Sequence, residues 1–339
     1  MQKMFNVDVP IIYIAIAFIV VGALYAIFGG LRAVAVSDTY SGVILLTMAV
    51  LVVVLALKAI DYDFSGIPAE RLTLIGDSDS PIPWPTLLTG MIFIQAFYWG
   101  TNQVITQRAM AAPTLKEAQK GVFAAAGIRL MIVPAIIVIP GIVSYKLFGD
   151  VNDAAYGMIV REVLPGWLSG VFAAAMAAAV LTTFNSNLNS ATALYVCDVH
   201  EAYVNDNPNV PRLSGFVTIA LCIVSLVLVP VYAQADSIIN LIQQLYGLLS
   251  MPILSIFVVG LCFKNVHANA GIAAVVFGVV FYALLSFDFS PINSPFGLHY
   301  IHLMFVTLIS CVGFALLVNK LVFKQTASIS WAMNDPHEA

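Results

Sequence analysis

Apolar runs long enough to cross a bilayer follow one another along almost the whole chain. About 20 apolar residues make one crossing, and the sequence offers nine such runs: 10–29, 41–60, 86–106, 121–148, 166–195, 213–233, 237–263, 267–287 and 299–323. Lipid gives backbone N–H and C=O groups no partner, so each run is read as a helix, whose bonds are internal. Composition agrees: 61% of the 339 residues are hydrophobic and 9% charged, where a soluble domain carries about 25% charged. The sequence therefore predicts an all-α membrane protein with about nine transmembrane helices, multi-pass in the plasma (inner) membrane.

Cys197, Cys222, Cys262 and Cys311 are scattered, with no C-x-x-C and no metal spacing, and are read as unpaired. There is no P-loop, zinc motif or G-x-S-x-G, and the first apolar run is long enough to span rather than serve as a cleaved leader. Orientation follows the basic residues. With the loop carrying Arg32 cytoplasmic, that side holds Arg32, Arg108, Lys116, Lys120, Arg212, Lys264, Lys320 and Lys324, against Lys3, Lys58, Arg71, Lys146 and Arg161 outside. The acids lean outward, among them Asp8, Asp61, Asp63, Asp79, Asp236 and Asp288. This sets the N-terminus outside and the C-terminus inside. The longest loop runs from Asp61 to Pro85, and its IPWP (82–85) is expected to start the third helix.

The segment Gly170–Thr192 begins as an Ala-rich apolar run and turns polar without gaining a charge. At about 100° per residue, Thr182, Thr183, Ser186, Asn189 and Ser190 share an arc of roughly 120°. Such a stripe of uncharged oxygens suits a desolvated alkali cation or a polar solute. It also suits plain hydrogen bonding between helices. The third run gathers Gln95, Tyr98, Trp99, Gly100, Thr101, Asn102 and Gln103, and Gly100 marks a point where the backbone can unwind. An aromatic face beside amides suits a sugar; a polar seam between helices is the alternative.

Arg129 lies about two turns, roughly 10 Å, from the cytoplasmic end of its run. An arginine at such depth costs about 2.5–3.5 kcal/mol unless it finds water or an acceptor. It either snorkels to the headgroups or lines a path. Pro134 and Pro140 should kink the same helix. The seventh run carries Gln243, Gln244, Tyr246, Gly247 and Ser250. Asp38, following Gly29-Gly30-Leu31, either caps the second helix or lines an ion exit path. His267, His299 and His302 sit at helix ends and are read as solvated interface residues. Polar stripes, a Gly-interrupted helix and an intramembrane Arg suggest a transport path. A structural or sensor subunit, whose stripes only pack helices, is the competing class. An intramembrane enzyme is least supported, since no nucleophile–base pair or metal constellation falls within the spans.

Four stretches, in order, resemble the sodium/solute symporter family near its sodium–glucose branch: GGLRAVAVSD (29–38), IPWP with FYWGTNQVITQRAMAAPTLKEAQKG (97–121), VLTTFNSNLNSATALYVCD (180–198) and IQQLYGLLSMP (242–252). The resemblance implies a LeuT-type inverted-repeat transporter fold with an incomplete first repeat, lacking its first three core helices. On this reading 1–339 is a single polytopic transmembrane domain. Residues 10–60 are the last two helices of the first repeat, 86–263 the second repeat, 267–323 extra C-terminal helices and 324–339 a cytoplasmic tail. The implied function is sodium-coupled symport of a small polar, sugar-like solute by alternating access, with sodium as the co-transported ion. The implied partners are solute, sodium, membrane lipid and a polypeptide supplying the missing N-terminal helices; no nucleic acid is expected. Residue by residue, Ala179, Thr182 and Thr183 fall at half of a sodium site, with threonines where relatives often have serines. Gln95 falls where sugar-transporting relatives have an Asn, Tyr98 at an aromatic inner gate, Arg129 at a sugar-facing lysine, and Gln243 at a sugar-contacting amide.

Overall fold

The structure, a computed structural model, describes residues 9–73, 75–77, 80, 82–234, 238–287 and 298–329. The expectations on Lys3, Asp8, Asp79, Asp236 and Asp288, and on the Arg32 side chain, lie outside the described residues. Among the described residues, seven helices are long and apolar enough to cross a membrane. The other two expected spans take different forms.

The first is part of a single helix, α1 (Ile11–Ala59), of 49 residues, about 74 Å at 1.5 Å per residue. The turn expected between 29 and 41 is absent, and the two predicted helices are continuous. No proline lies between Pro10 and Pro68, and the glycine pair costs only about 1 kcal/mol per residue relative to alanine. With apolar helix formers on both sides, that does not break the ladder. α1 stops where Asp61 and Tyr62 turn left-handed (φ 50° and 57°), with the Tyr62 N–H donating back to the Leu57 carbonyl at 3.0 Å.

The third expected span is a chain of short pieces. IPWP does start it: Pro83 precedes a single turn, Trp84–Thr86, with Pro85 in that turn. A π turn follows (Leu87–Met91), bent at Thr89, then α2 (Ile92–Gly100) and α3 (Gln103–Met110). Helix α4 (Leu115–Met131) opens on Thr114, whose hydroxyl accepts from the Glu117 N–H at 3.3 Å, half of a capping box. It gives way at Ile132 to α5 (Val133–Phe148), which has Pro134 in its first turn. Proline has no N–H to donate, and the predicted kink sits there. The short α6 (Ala155–Val163) leads to α7 (Gly166–Ala193), continued by π turns over Leu194–Glu201. Then come α8 (Val210–Ala233), α9 (Ile238–Cys262), α10 (Ala268–Ser286) and α11 (Tyr300–Leu321). The tail is described to Ile329, where β2 (Ser328–Ile329) pairs antiparallel with β1 (Phe263–Lys264).

The helices form two compact units. One comprises Met1–Thr73 with Gln107–Ala235, the other Leu74–Thr106 with Asp236–Ala339. In the first unit α1 runs along α7. Met48 and Val52 pack with Val160, Leu164, Phe172 and Ala173, while Ala56 and Ile60 meet Val143 and Ile159. In the second unit, Ile94 of α2 packs with Met251, Leu254, Tyr282, Ile301, Met304 and Leu308 of α9 to α11. Gly90 lies so close to the Ile301 carbonyl that a methyl group there would collide with it.

Candidate functional site

Helix α7 buries one polar face against α1. Thr182, Asn185, Ser186 and Ser190 are exposed by only 5%, 0%, 3% and 4%. Their spacing of three and four residues puts them on one side of a helix. Thr183, one position round, is exposed, and Asn189 is half-buried. The predicted stripe is real, but its buried centre is shifted from Thr183 and Asn189 toward Asn185.

A line of polar contacts runs along this face. The Thr182 hydroxyl donates to the Ala179 carbonyl at 3.1 Å, and the Ser186 hydroxyl donates to the Thr182 carbonyl at 2.7 Å. Ser186 Oγ also lies 3.3 Å from Asp38 Oδ2. The Arg108 guanidinium, from α3, donates through Nη2 to both Asp38 Oδ2 and Ser186 Oγ. Asp38 caps nothing, because the backbone around it is helical in the middle of α1; its capping reading is overturned. The Arg108 and Asp38 side chains are 33% and 27% exposed. That pair is therefore screened less than a surface pair, which contributes about 0.2–1 kcal/mol. Both residues, with Ala35, Thr39 and Ala111, line a cavity of about 330 Å³. One turn further along α7, the Ser190 hydroxyl donates to Gln107 Oε1 at 2.9 Å, and the hydroxyls of Thr192 and Thr218 meet at 3.2 Å.

The second unit carries an aromatic and amide group. Gln95 is exposed on α2, and its Oε1 accepts from Trp99 Nε1 at 3.0 Å. Tyr98 is half-buried and meets Trp99 and Tyr246 edge-on at 5.1 and 6.3 Å. Gln243 is half-buried on α9, one turn before Tyr246. Just beyond Gly100 the helix does break: the Thr101 and Asn102 N–H groups both donate to the Phe97 carbonyl, at 2.9 and 3.1 Å. Asn102 Oδ1 then accepts from the Val104 N–H at 2.9 Å. Arg129 is exposed on α4, a helix with no buried residue. Thus Gln95, Tyr98 and Gln243 fall in one unit, and Arg129, Ala179, Thr182, Thr183 and Asp38 in the other.

Residues 2–278 match the Sodium:solute symporter family. The chain belongs to that family. Among relatives of this chain, an uncharacterized symporter, YidK, of Escherichia coli is 34% identical over 289 residues, covering 79% of this chain and 50% of the relative. The sodium/glucose cotransporter of Vibrio parahaemolyticus is 29% identical, covering 85% and 59%. The sodium/myo-inositol cotransporter 2 of Rattus norvegicus is 28% identical, covering 79% and 46%. The chain spans about half the length of these relatives. Its fold is similar to that of a Na+-coupled sialic acid symporter in a substrate-bound, outward-open state. The TM-score is 0.74 at 17% identity, covering 95% of this chain and 68% of the other. The chain is thus a multi-pass membrane protein of LeuT-type fold, and the relatives it matches are transporters, not enzymes.

Two residues at the polar face of α7 carry no signal in the sequence pattern. Asn185 was present in the quoted motif but lay outside the predicted arc. Arg108 was counted only as a cytoplasmic charge, because its partner Asp38 lies 70 positions away and no local spacing announces such a pair. Among the described residues no group of three or more His, Cys, Asp or Glu can hold a metal ion. Along the described α7 face the oxygens on offer are those of hydroxyls, backbone carbonyls, side-chain amides and the Asp38 carboxylate.

Proposed function

We propose that these residues belong to a sodium-coupled symporter of a small polar, sugar-like solute working by alternating access. The observation that carries this reading is the unbroken polar line Ala179–Thr182–Ser186–Asp38, which reaches a cavity at its Asp38 end. Sodium is a hard cation that takes oxygen ligands. The Ala179 carbonyl and the Thr182 and Thr183 hydroxyls supply part of its shell, and Asp38 is the charged station between that shell and the cavity. With the side carrying Arg108, Lys116 and Lys120 cytoplasmic, the cavity is the inner mouth of the ion path.

The solute is read from the other unit. There Tyr98 offers a flat apolar face for sugar C–H groups, and Gln95 and Gln243 offer amides for hydroxyls; Arg129, on α4 of the first unit, is by itself a candidate charged donor to the solute. The names of the glucose and myo-inositol cotransporters among the relatives support a polyhydroxylated solute. The lower end of the α7 face has a different role. Ser190 with Gln107, and Thr192 with Thr218, are bonded pairs that hold helices together.

In an inverted-repeat transporter the site lies between the repeats. The chain spans about half the length of these relatives, and on this reading helices like those the relatives carry in addition supply the other half of the site. The experiment is uptake of labelled glucose and myo-inositol into proteoliposomes, with and without an inward sodium gradient. It is run with the chain alone and with a polypeptide carrying the remaining helices of a relative. Gradient-driven uptake is expected only in the combined sample. Uptake indifferent to sodium in the combined sample would overturn the symport reading.

A further inference from the structure

We propose that Arg108 is a tethered counter-cation. It holds the Asp38 carboxylate until a free cation displaces it, so that position 108 sets the sodium concentration at which Asp38 is occupied. The inference rests on the symport reading above and adds the device that controls its ion path.

The geometry supports an exchange rather than a permanent structural pair. The Arg108 Nη2 group reaches Asp38 Oδ2 and Ser186 Oγ together, so it contacts the same two oxygens that a small cation between α1 and α7 would use. Ser186 is suited to either occupant: its one proton is engaged with the Thr182 carbonyl at 2.7 Å, which leaves its lone pairs to face a positive charge. Arg108 and Asp38 both line the cavity, so a hydrated ion can arrive beside the pair without first opening the core.

The helix that carries the arginine is also built to let go. α3 has eight residues and buries none of them. It starts at the backbone break after Gly100 and ends in the turn where the Ala112 N–H donates to the Ala109 carbonyl at 3.3 Å. Segments with little buried apolar contact open at low free energy. The Ser190–Gln107 bond keeps a neighbouring residue of α3 on α7, so Arg108 can swing while the helix stays nearby. A tethered group also competes at a high effective concentration, of order millimolar or more. A guanidinium stays charged at all physiological pH values, and sodium must outcompete it by concentration alone. A rise in sodium on the cavity side then displaces Arg108, and a fall lets it return and expel the ion from Asp38.

Two measurements on the purified 339-residue chain in detergent test this. The first is 22Na+ binding to wild-type, Arg108→Gln, Arg108→Lys and Arg108→Gln/Asp38→Asn protein. Arg108→Gln is expected to bind sodium roughly three- to tenfold more tightly, the scale of one partly screened ion pair. Arg108→Lys should stay near wild type because the tethered charge remains, and adding Asp38→Asn should abolish the gain. Equal affinity in wild type and Arg108→Gln overturns the proposal, as does a gain that survives Asp38→Asn. The second needs no variant and so stands even if Arg108→Gln fails to fold. Modification of Arg108 by phenylglyoxal, followed by mass spectrometry, should accelerate as sodium replaces choline at constant ionic strength, with Arg71 and Arg161 unchanged. Labelling of Arg108 blind to sodium overturns it. Neither measurement involves solute, so loss of gradient-driven uptake with sodium-dependent labelling intact sinks only the symport reading. Sodium-driven uptake with blind labelling sinks only this one.

Discussion

His302 Nδ1 and Thr89 Oγ1 are 2.8 Å apart across 213 positions of sequence. Their bond joins the first turn of α11 to the bent π turn that leads into α2 and its Gln95 and Tyr98. His302 is thus half-buried and engaged, where the sequence reading had it as a solvated interface residue. His267 and His299 likewise serve as helix caps, their Nδ1 atoms accepting from the Asn269 and Ile301 N–H groups at 3.1 and 3.3 Å.

A hydrogen bond of this kind contributes about 0.5–1.5 kcal/mol. His302→Ala and Thr89→Val should each lower the thermal midpoint, and the double variant should be less destabilised than the sum by about that coupling. Strict additivity in the cycle would show that the two side chains do not depend on each other.

The sodium reading predicts that Thr182→Ala and Thr183→Ala, in protein reconstituted with its complementary helices, both raise the sodium needed for half-maximal uptake. The two differ in a second readout. Thr182 is 5% exposed and bonded to the Ala179 carbonyl, so its loss also lowers the melting temperature. Thr183 is exposed, and its truncation should leave the melting temperature within the roughly 0.5 kcal/mol typical of surface changes. Thr182→Ser keeps the oxygen and should be mild. Normal sodium dependence in both alanine variants would reduce the stripe to helix packing.

Arg129 gives an even cleaner separation of folding from function. α4 buries no residue, so Arg129→Ala should unfold at nearly the wild-type temperature. If its guanidinium donates to solute, removal costs about 1–3 kcal/mol, roughly 5- to 150-fold in apparent solute affinity, with Arg129→Lys partly tolerated. Unchanged affinity in well-folded Arg129→Ala protein would assign the charge to headgroup snorkelling.

Which of these features the sequence could reveal depended on whether the cause was local. The break after Gly100 and the interruption before Pro134 were legible, because glycine and the missing proline N–H act on their own neighbours. The polar face of α7 was legible as a periodicity, but periodicity cannot say which edge meets another helix; Thr183 fell outside and Asn185 inside. The continuity of α1 was not legible, since Gly29-Gly30 reads as a turn unless the stability of both flanks is weighed. The Arg108–Asp38 pair had no local signal at all. Charge counting placed Arg108 on a membrane side and could not find it a partner.

In the loop after α1, Asp63 accepts from the Ser65 hydroxyl at 2.6 Å, the Ser65 N–H at 2.9 Å and the Lys146 ammonium at 2.9 Å. These bonds, Ser65 first and Lys146 next, hold its carboxyl well below the ordinary 3.8. A carboxylate whose folded value is lowered contributes stability that is complete above its unfolded value and is lost as pH falls through the folded one. The melting-temperature difference between wild type and Asp63→Asn should therefore be flat above about pH 5 and shrink as pH drops below 3.8. A difference that grows on acidification would mean the bonds favour the protonated form.

Asn185 supplies the last prediction. Its side chain is fully buried, and neither Nδ2 nor Oδ1 has a hydrogen-bond partner among the described residues. It lies where α7 crosses Gly22 of α1, close enough that a methyl on Gly22 would come within 3.2 Å of Oδ1. Burying an unpaired amide costs about 1–3 kcal/mol, while an apolar group of similar shape in the same place is neutral or stabilising. Asn185→Leu should therefore melt at or above the wild-type temperature, whereas Asn185→Asp, which adds a charge to the same site, should melt lower. Retaining a destabilising amide beside Ser186 and the Asp38–Arg108 pair makes sense if the amide serves the ion path, since functional sites commonly trade stability for activity. Asn185→Leu should then raise the sodium required for half-maximal uptake while the protein becomes no less stable. A lower melting temperature in Asn185→Leu would show that the amide is satisfied in the folded protein. Unaltered sodium dependence would remove Asn185 from the path and leave it a packing residue between α1 and α7.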